Sequence, residues 1–192
     1  MRKRLYIEPW TYLSWSLLVL ILHLDWLFGA FFAALFHEVC HIAAISLVGG
    51  SVLEIHIGPC GAVIDTCDLS KSGEFWCALA GPAGSCALIL FCRWCPILAV
   101  CGLVHGIFNL LPVYPLDGGR ALRCSLEILL PDHAGVFCGY IECFVLLLLL
   151  VSSIWAARYL NMGFFPVVFA LLLILKAIIR KIPCKRSQIR VQ

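Results

Sequence analysis

The stretch WLFGAFFAALFHEVCHIAAISLV, residues 26–48, decides what kind of molecule this is. It is apolar except for a cluster at His37, Glu38 and His41 and a lone Ser46. As a helix it reaches about 35 Å at 1.5 Å per residue, enough to cross a hydrocarbon core of about 30 Å. His37 then falls near mid-span. An acid or base at that depth costs about 2.5–3.5 kcal/mol on insertion scales. Three ionisable groups within five positions therefore call for compensation. Histidines four apart stand on one helix face, one turn apart. Two such imidazoles can bind one metal ion, and Glu38 beside them can serve as general base. In a soluble protein an H-E-x-x-H is often chance. Within a span, a metal ion supplies the compensation, because it offsets charge and uses the imidazole lone pairs.

The rest of the chain agrees with a membrane setting. Its 192 residues are 62% hydrophobic and 13% charged, against about 45–50% and 25% in a soluble domain. Six apolar spans are expected, at 10–24, 26–48, 75–91, 97–111, 136–156 and 164–182. The fold class is an all-α polytopic membrane protein with a short membrane-associated β-hairpin between the second and third helices. A single domain covers residues 1–192, with its core at about 26–120. The N-terminus lacks the small-residue cleavage site of a signal peptide.

Lys and Arg crowd at residues 2–4 and 176–190. The positive-inside rule places both termini, and the face bearing Lys71, Arg120 and Arg123, in the cytoplasm. A basic run can also bind nucleic acid; beside this much apolar sequence the membrane reading prevails, and no nucleic acid is expected. The twelve cysteines lie mostly in apolar runs, where they act as small hydrophobes. Cys92 and Cys95 form an isolated C-x-x-C expected in a loop. Between the second and third spans, Val52, Ile55 and Ile57, then Ala62–Ile64, read as strands broken by Gly58, Pro59 and Gly61.

Two histidines leave a catalytic zinc site incomplete, since such sites usually have three protein ligands. NLLPVYPLDGGR, Asn109 to Arg120, offers the third. Pro112 and Pro115 cannot continue a helix. Gly118 and Gly119 permit tight backbone geometry, and Asp117 stands between the two pairs. Asp117 read alone is also an N-cap for the helix that follows. Asn109 has two open roles: donating to a substrate carbonyl or oxyanion, or satisfying backbone groups that the prolines free. His105, one turn earlier, reads as a hydrogen-bonded structural histidine with a supporting position near the ligands as its other reading. His56 is a weak spare ligand, and Glu142 reads as paired with a polar neighbour. The small residues of ALAGPAG, Ala78 to Gly84, read as close helix packing around the metal helix.

Together H-E-x-x-H (His37, Glu38, His41) and N-x-x-P-x-x-P-x-D-G-G (Asn109, Pro112, Pro115, Asp117, Gly118, Gly119) resemble the site-2 protease family of intramembrane zinc metalloproteases. The resemblance implies one Zn2+ held by His37, His41 and Asp117, with Glu38 as the catalytic base. It is nearest to the sporulation branch of that family, with six helices, no inserted PDZ domain and an arginine, Arg120, after the glycine pair. That branch implies removal of the pro-sequence of pro-sigma-K in the mother-cell membrane around the forespore. The alternatives are cleavage of a membrane-anchored anti-sigma factor and a non-catalytic multi-pass metal-binding or transport protein. Membrane inhibitory partners accompany the sporulation reading. The cystathionine-β-synthase-type domain of many members is not expected. An extended substrate is expected to add as a strand along residues 52–57.

Overall fold

The computed structural model describes residues 4–7, 19, 23–58, 61–67, 69–159 and 163–181. They fall into two compact units, Met1–Gly139 and Tyr140–Gln192. In the first unit, helix α1 (Leu24–Leu47) buries Gly29, Ala33, His37, His41 and Ile45. Every fourth residue thus faces inward, because i and i+4 share a helix face. The helix ends where Gly49 takes φ 78°, a backbone that L side chains rarely adopt. Gly50 N then donates to Ile45 O at 2.9 Å.

Three strands carry the chain onward: β1 (Arg4–Ile7), β2 (Ser51–Gly58) and β3 (Gly61–Cys67). β2 pairs antiparallel with β3, from Ser51 opposite Cys67 to Gly58 opposite Gly61. The register shifts between Val52 and Glu54, as at a β-bulge. β1 pairs parallel with β2, Arg4 opposite Glu54 and Ile7 opposite Ile57. The sheet order β1-β2-β3 corrects one expectation. Of the expected 52–57 edge, residues 54–57 lie between β1 and β3, with both sides taken and no edge for an added strand. The N-terminal residues, read from sequence only as a basic start, supply the strand that closes the second edge.

Helix α2 (Lys71–Ala87) opens on Ser70, whose hydroxyl accepts from Gly73 N at 3.1 Å. That satisfies one of the four amides a helix start leaves open. Pro82 lies inside α2, and a 3-10 turn, Leu88–Phe91, extends it. Cys92 and Cys95 are exposed free thiols in the turn that follows. Helix α3 (Pro96–Asn109) places Pro96 in its first turn, where a missing N–H is harmless. Helix α4 (Asp117–Leu129) follows an irregular link, with Leu116 as its N-cap. Asp117 is therefore the first helical residue and not the cap. α1 packs against α2 and α3, and α4 packs against α2.

Helix α5 (Ala134–Tyr159) runs from the first unit into the second, which also holds α6 (Phe165–Lys181). Glu142 is buried in α5. Three described helical spans are long and apolar enough to cross a membrane: Leu24–Leu47, Lys71–Phe91 and Ala134–Tyr159. The 14-residue α3 is shorter, about 21 Å at 1.5 Å per residue. Its end is set by the two prolines downstream. Most of the first expected span, 10–24, lies outside the described residues.

Candidate metal centre

His37 and His41 project from the inward stripe of α1, and Asp117 comes to them from the first turn of α4. Their ligand atoms converge. His37 Nε2 lies 2.9 Å and His41 Nε2 3.1 Å from the same oxygen, Asp117 Oδ2. The two Nε2 atoms are 3.1 Å apart. All three residues are buried, His37 to 3% and Asp117 to 7% exposure. They are the metal-capable group of histidine, cysteine and carboxylate atoms among the described residues.

The donor chemistry fits a cation. His41 Nδ1 lies 2.7 Å from Cys77 O, a carbonyl that can only accept, so Nδ1 carries the hydrogen. The Nε2 of neutral His41 is then a lone pair aimed at a carboxylate oxygen. Facing acceptors out of water are costly unless a cation or proton stands between them. A metal-bound histidine ordinarily donates its other N–H to a carbonyl or carboxylate, as His41 does here. Space agrees with charge. Gly81 of α2 lies against this point, and a Cβ there would overlap His41 Nε2 and come within 2.8 Å of His37 Nε2. The chain thus keeps a side chain out of the place where the ligand atoms meet. The residues present fit the zinc ion implied by the sequence.

The link after α3 delivers Asp117. Leu110 N donates to Gly106 O at 3.0 Å and Val113 N to Leu111 O at 2.7 Å, after which the chain turns. A Cβ on Gly118 would strike the carbonyl of Leu110, and one on Gly119 would lie 2.5 Å from Val113 C. The two glycines therefore serve close approach: the link folds back over the first turn of α4. Val113, between the prolines, is 2% exposed and anchors it. Pro112 and Pro115 flank this anchor. Asp117 Oδ1, the oxygen turned from the histidines, lies 3.8 Å from Arg120 Nη1.

Asn109 closes α3, its Nδ2 donating to His105 O at 3.1 Å. The His105 ring stands edge-on to His37, with centroids 4.7 Å apart. It also lines a groove of about 330 Å³ with Trp26, Ala30, Val100, Cys101, Val104 and Phe108. His105 is outside the ligand group. His56 belongs to β2, its backbone opposite Tyr6 and Val63. Glu38, between the ligand histidines in sequence, is half-buried. Two contributors carried no separate sequence signal. Gly81 was visible only as one of several small residues, and Ser85, whose Oγ is 2.9 Å from His37 Nδ1, looked like any serine in a helix.

Comparison with known proteins bears on these residues. A sequence model of Peptidase family M50 matches residues 84–150, which include Asn109 and Asp117 but not the histidine pair. The zinc metalloprotease MJ0392 of Methanocaldococcus jannaschii is 29% identical over 127 residues, 59% of this chain and 35% of its own length. The protein Rip3 of Mycobacterium tuberculosis is 32% identical over 128 residues, 53% of this chain and 32% of its own. The chain thus spans about a third of the length of these curated relatives. A solved structure, the site-2 protease from Methanocaldococcus jannaschii, superposes with a TM-score of 0.65 at 20% identity, covering 90% of this chain and 88% of that one. The family match and the metalloprotease relative support Peptidase family M50. The solved structure supports the fold.

Proposed function

We propose that the chain is an intramembrane zinc metalloprotease of the site-2 type, hydrolysing a peptide bond of a membrane-associated protein. The observation that carries this reading is the meeting of His37, His41 and Asp117 at one buried point, with Glu38 on the same helix turn. His37, His41 and Asp117 hold the ion. Zinc, when bound, supplies Lewis acidity and makes water a nucleophile near neutral pH. Glu38 takes the proton of the attacking water and returns it to the leaving amine. Pro112, Pro115, Gly118 and Gly119 hold Asp117 in place through the folded-back link. Asn109 acts in the same support, since its amide already serves the end of α3. An extended substrate adds along the outer edge of β3, because β2 is flanked on both sides.

Glu38→Gln tests the reading. It should keep zinc at wild-type stoichiometry and lower cleavage by about 100-fold or more, the scale of general-base catalysis. Undiminished cleavage by that variant would leave a metal-binding or transport protein as the better account.

The finer reading is a six-span protein with cytoplasmic termini, acting like stage IV sporulation protein FB on pro-sigma-K in the mother-cell membrane. Arg120 after the glycine pair supports it, as does the basic face expected in the cytoplasm. Co-expression with pro-sigma-K and with a membrane-anchored anti-sigma factor, reading products by mass, separates the two substrate classes.

A further inference from the structure

The two ligand histidines are braced differently. His41 Nδ1 donates to a backbone carbonyl, Cys77 O, a partner present whatever side chain stands at position 77. His37 Nδ1 meets a side chain, the hydroxyl of Ser85, at 2.9 Å. Ser85 is 0% exposed and lies one turn after Gly81 on α2.

Its position is built from both sides. A Cβ on Gly102 would lie 2.7 Å from Ser85 O, and one on Gly106 would lie 3.1 Å from Ser85 Cβ and 2.9 Å from Pro82 O. Two glycines of α3 thus let α2 come close enough for Ser85 to reach the His37 ring. Alanine would fill almost the same volume. The hydroxyl is explained by the ring nitrogen, since a polar group buried this fully is kept for its partner.

We propose that Ser85 is the positioning residue for His37, holding its ring so that Nε2 faces the ion and accepting the Nδ1–H that an Nε2-ligated His37 carries. The proposal rests on the metal reading given above. Neutral imidazole carries one N–H. With Nδ1–H donated to Ser85 Oγ, Nε2 is free to ligate. Without that acceptor, the buried Nδ1–H loses its partner. The competing metal-free tautomer, Nε2–H donating to Asp117 Oδ2 across 2.9 Å, needs no such acceptor, so losing Ser85 favours it over the ligated form. That hydrogen bond occupies two ligand atoms at once, so the lost hydroxyl weakens metal binding without touching the metal.

The test uses the full chain in detergent, comparing wild type with Ser85→Ala. Zinc dissociation constants come from chelator competition, and thermal melting of the metal-free forms controls for folding. Correlation of ring protons with 15N in histidine-labelled, zinc-loaded protein follows the His37 Nδ1–H, with His37→Gln as the assignment control. Ser85→Ala should bind zinc about 10–100-fold more weakly, the range for partners behind a ligand. Its metal-free melting should be close to wild type, and the Nδ1–H of its zinc-bound His37 should shift upfield, as a hydrogen that has lost its acceptor does. A dissociation constant within about twofold of wild type overturns the proposal, as does weaker binding with the Nδ1–H resonance unmoved. Wild-type protein that binds no zinc overturns the metal reading itself, an outcome distinct from either.

Discussion

The two ends of α4 hold charge in opposite ways. At its C-terminal half the chain supplies both signs. Arg123 Nε donates to Glu127 Oε1 at 2.7 Å, and Lys71 Nζ lies 3.0 Å from Glu127 and 3.1 Å from Glu74. The two cations are exposed and the two carboxylates half-buried at the surface, so each pair is worth about 0–1 kcal/mol. Cys124 beside them donates to Glu74 at 3.5 Å, and burial, with Glu74 adding to it, pushes its thiol up to about 11. At the N-terminal end the oxygen of Asp117 that faces inward meets two imidazoles. Arg120 lies 3.8 Å from the other oxygen. One cluster balances its charges within the chain; the other gathers three potential ligand atoms at one buried point, as the proposed zinc ion requires.

The largest test of that contrast is Gly81→Ala. Its Cβ would occupy the meeting point of the ligands, so zinc content should fall from about one per chain to none. An intact zinc site in this variant would mean that the ligands converge elsewhere. Asp117→Asn keeps the shape and removes the anion. Its zinc affinity should fall by more than the roughly 100-fold expected for partners behind a ligand, read by chelator competition. Chelation of wild type should abolish cleavage, and added zinc should restore it. Loss without recovery would point to denaturation.

The smallest effect belongs to the exposed cluster. Glu127 is held below its ordinary carboxylate range, first by the hydrogen bond from Arg123 and then by that from Lys71. Its contribution is therefore full above the unfolded value and fades as pH falls through the folded one. Glu127→Gln should melt slightly earlier than wild type at neutral pH, and the gap should close in acid and in high salt. A gap that grows in acid would reverse the assignment.

How much of this was written in the sequence depends on the range of the interaction. His37 and His41 declare themselves because helical period is local. Asp117 does so because prolines and glycines interrupt an apolar run. The long spans in α1, α2 and α5 follow from hydropathy alone. Gly81 and Ser85 were not legible, because their roles depend on how far α2 and α3 approach α1; His105 beside the ligands was legible only as the second of two readings. The central position of β2 was hidden for a similar reason. Residues 4–7 carry too short a pattern to read as a strand, and they acquire that role by pairing with residues fifty positions away.

The sequence separation within the metal centre has a consequence for biosynthesis. Asp117 stands 80 residues from His37 and 76 from His41. A nascent chain exposes both histidines long before the acid has left the ribosome. Two neutral imidazoles alone lack the charge and the third arm of the finished site. Only when α1 and α4 have both packed against α2 do the three side chains meet. Any reactivity of that cluster thus waits on tertiary assembly.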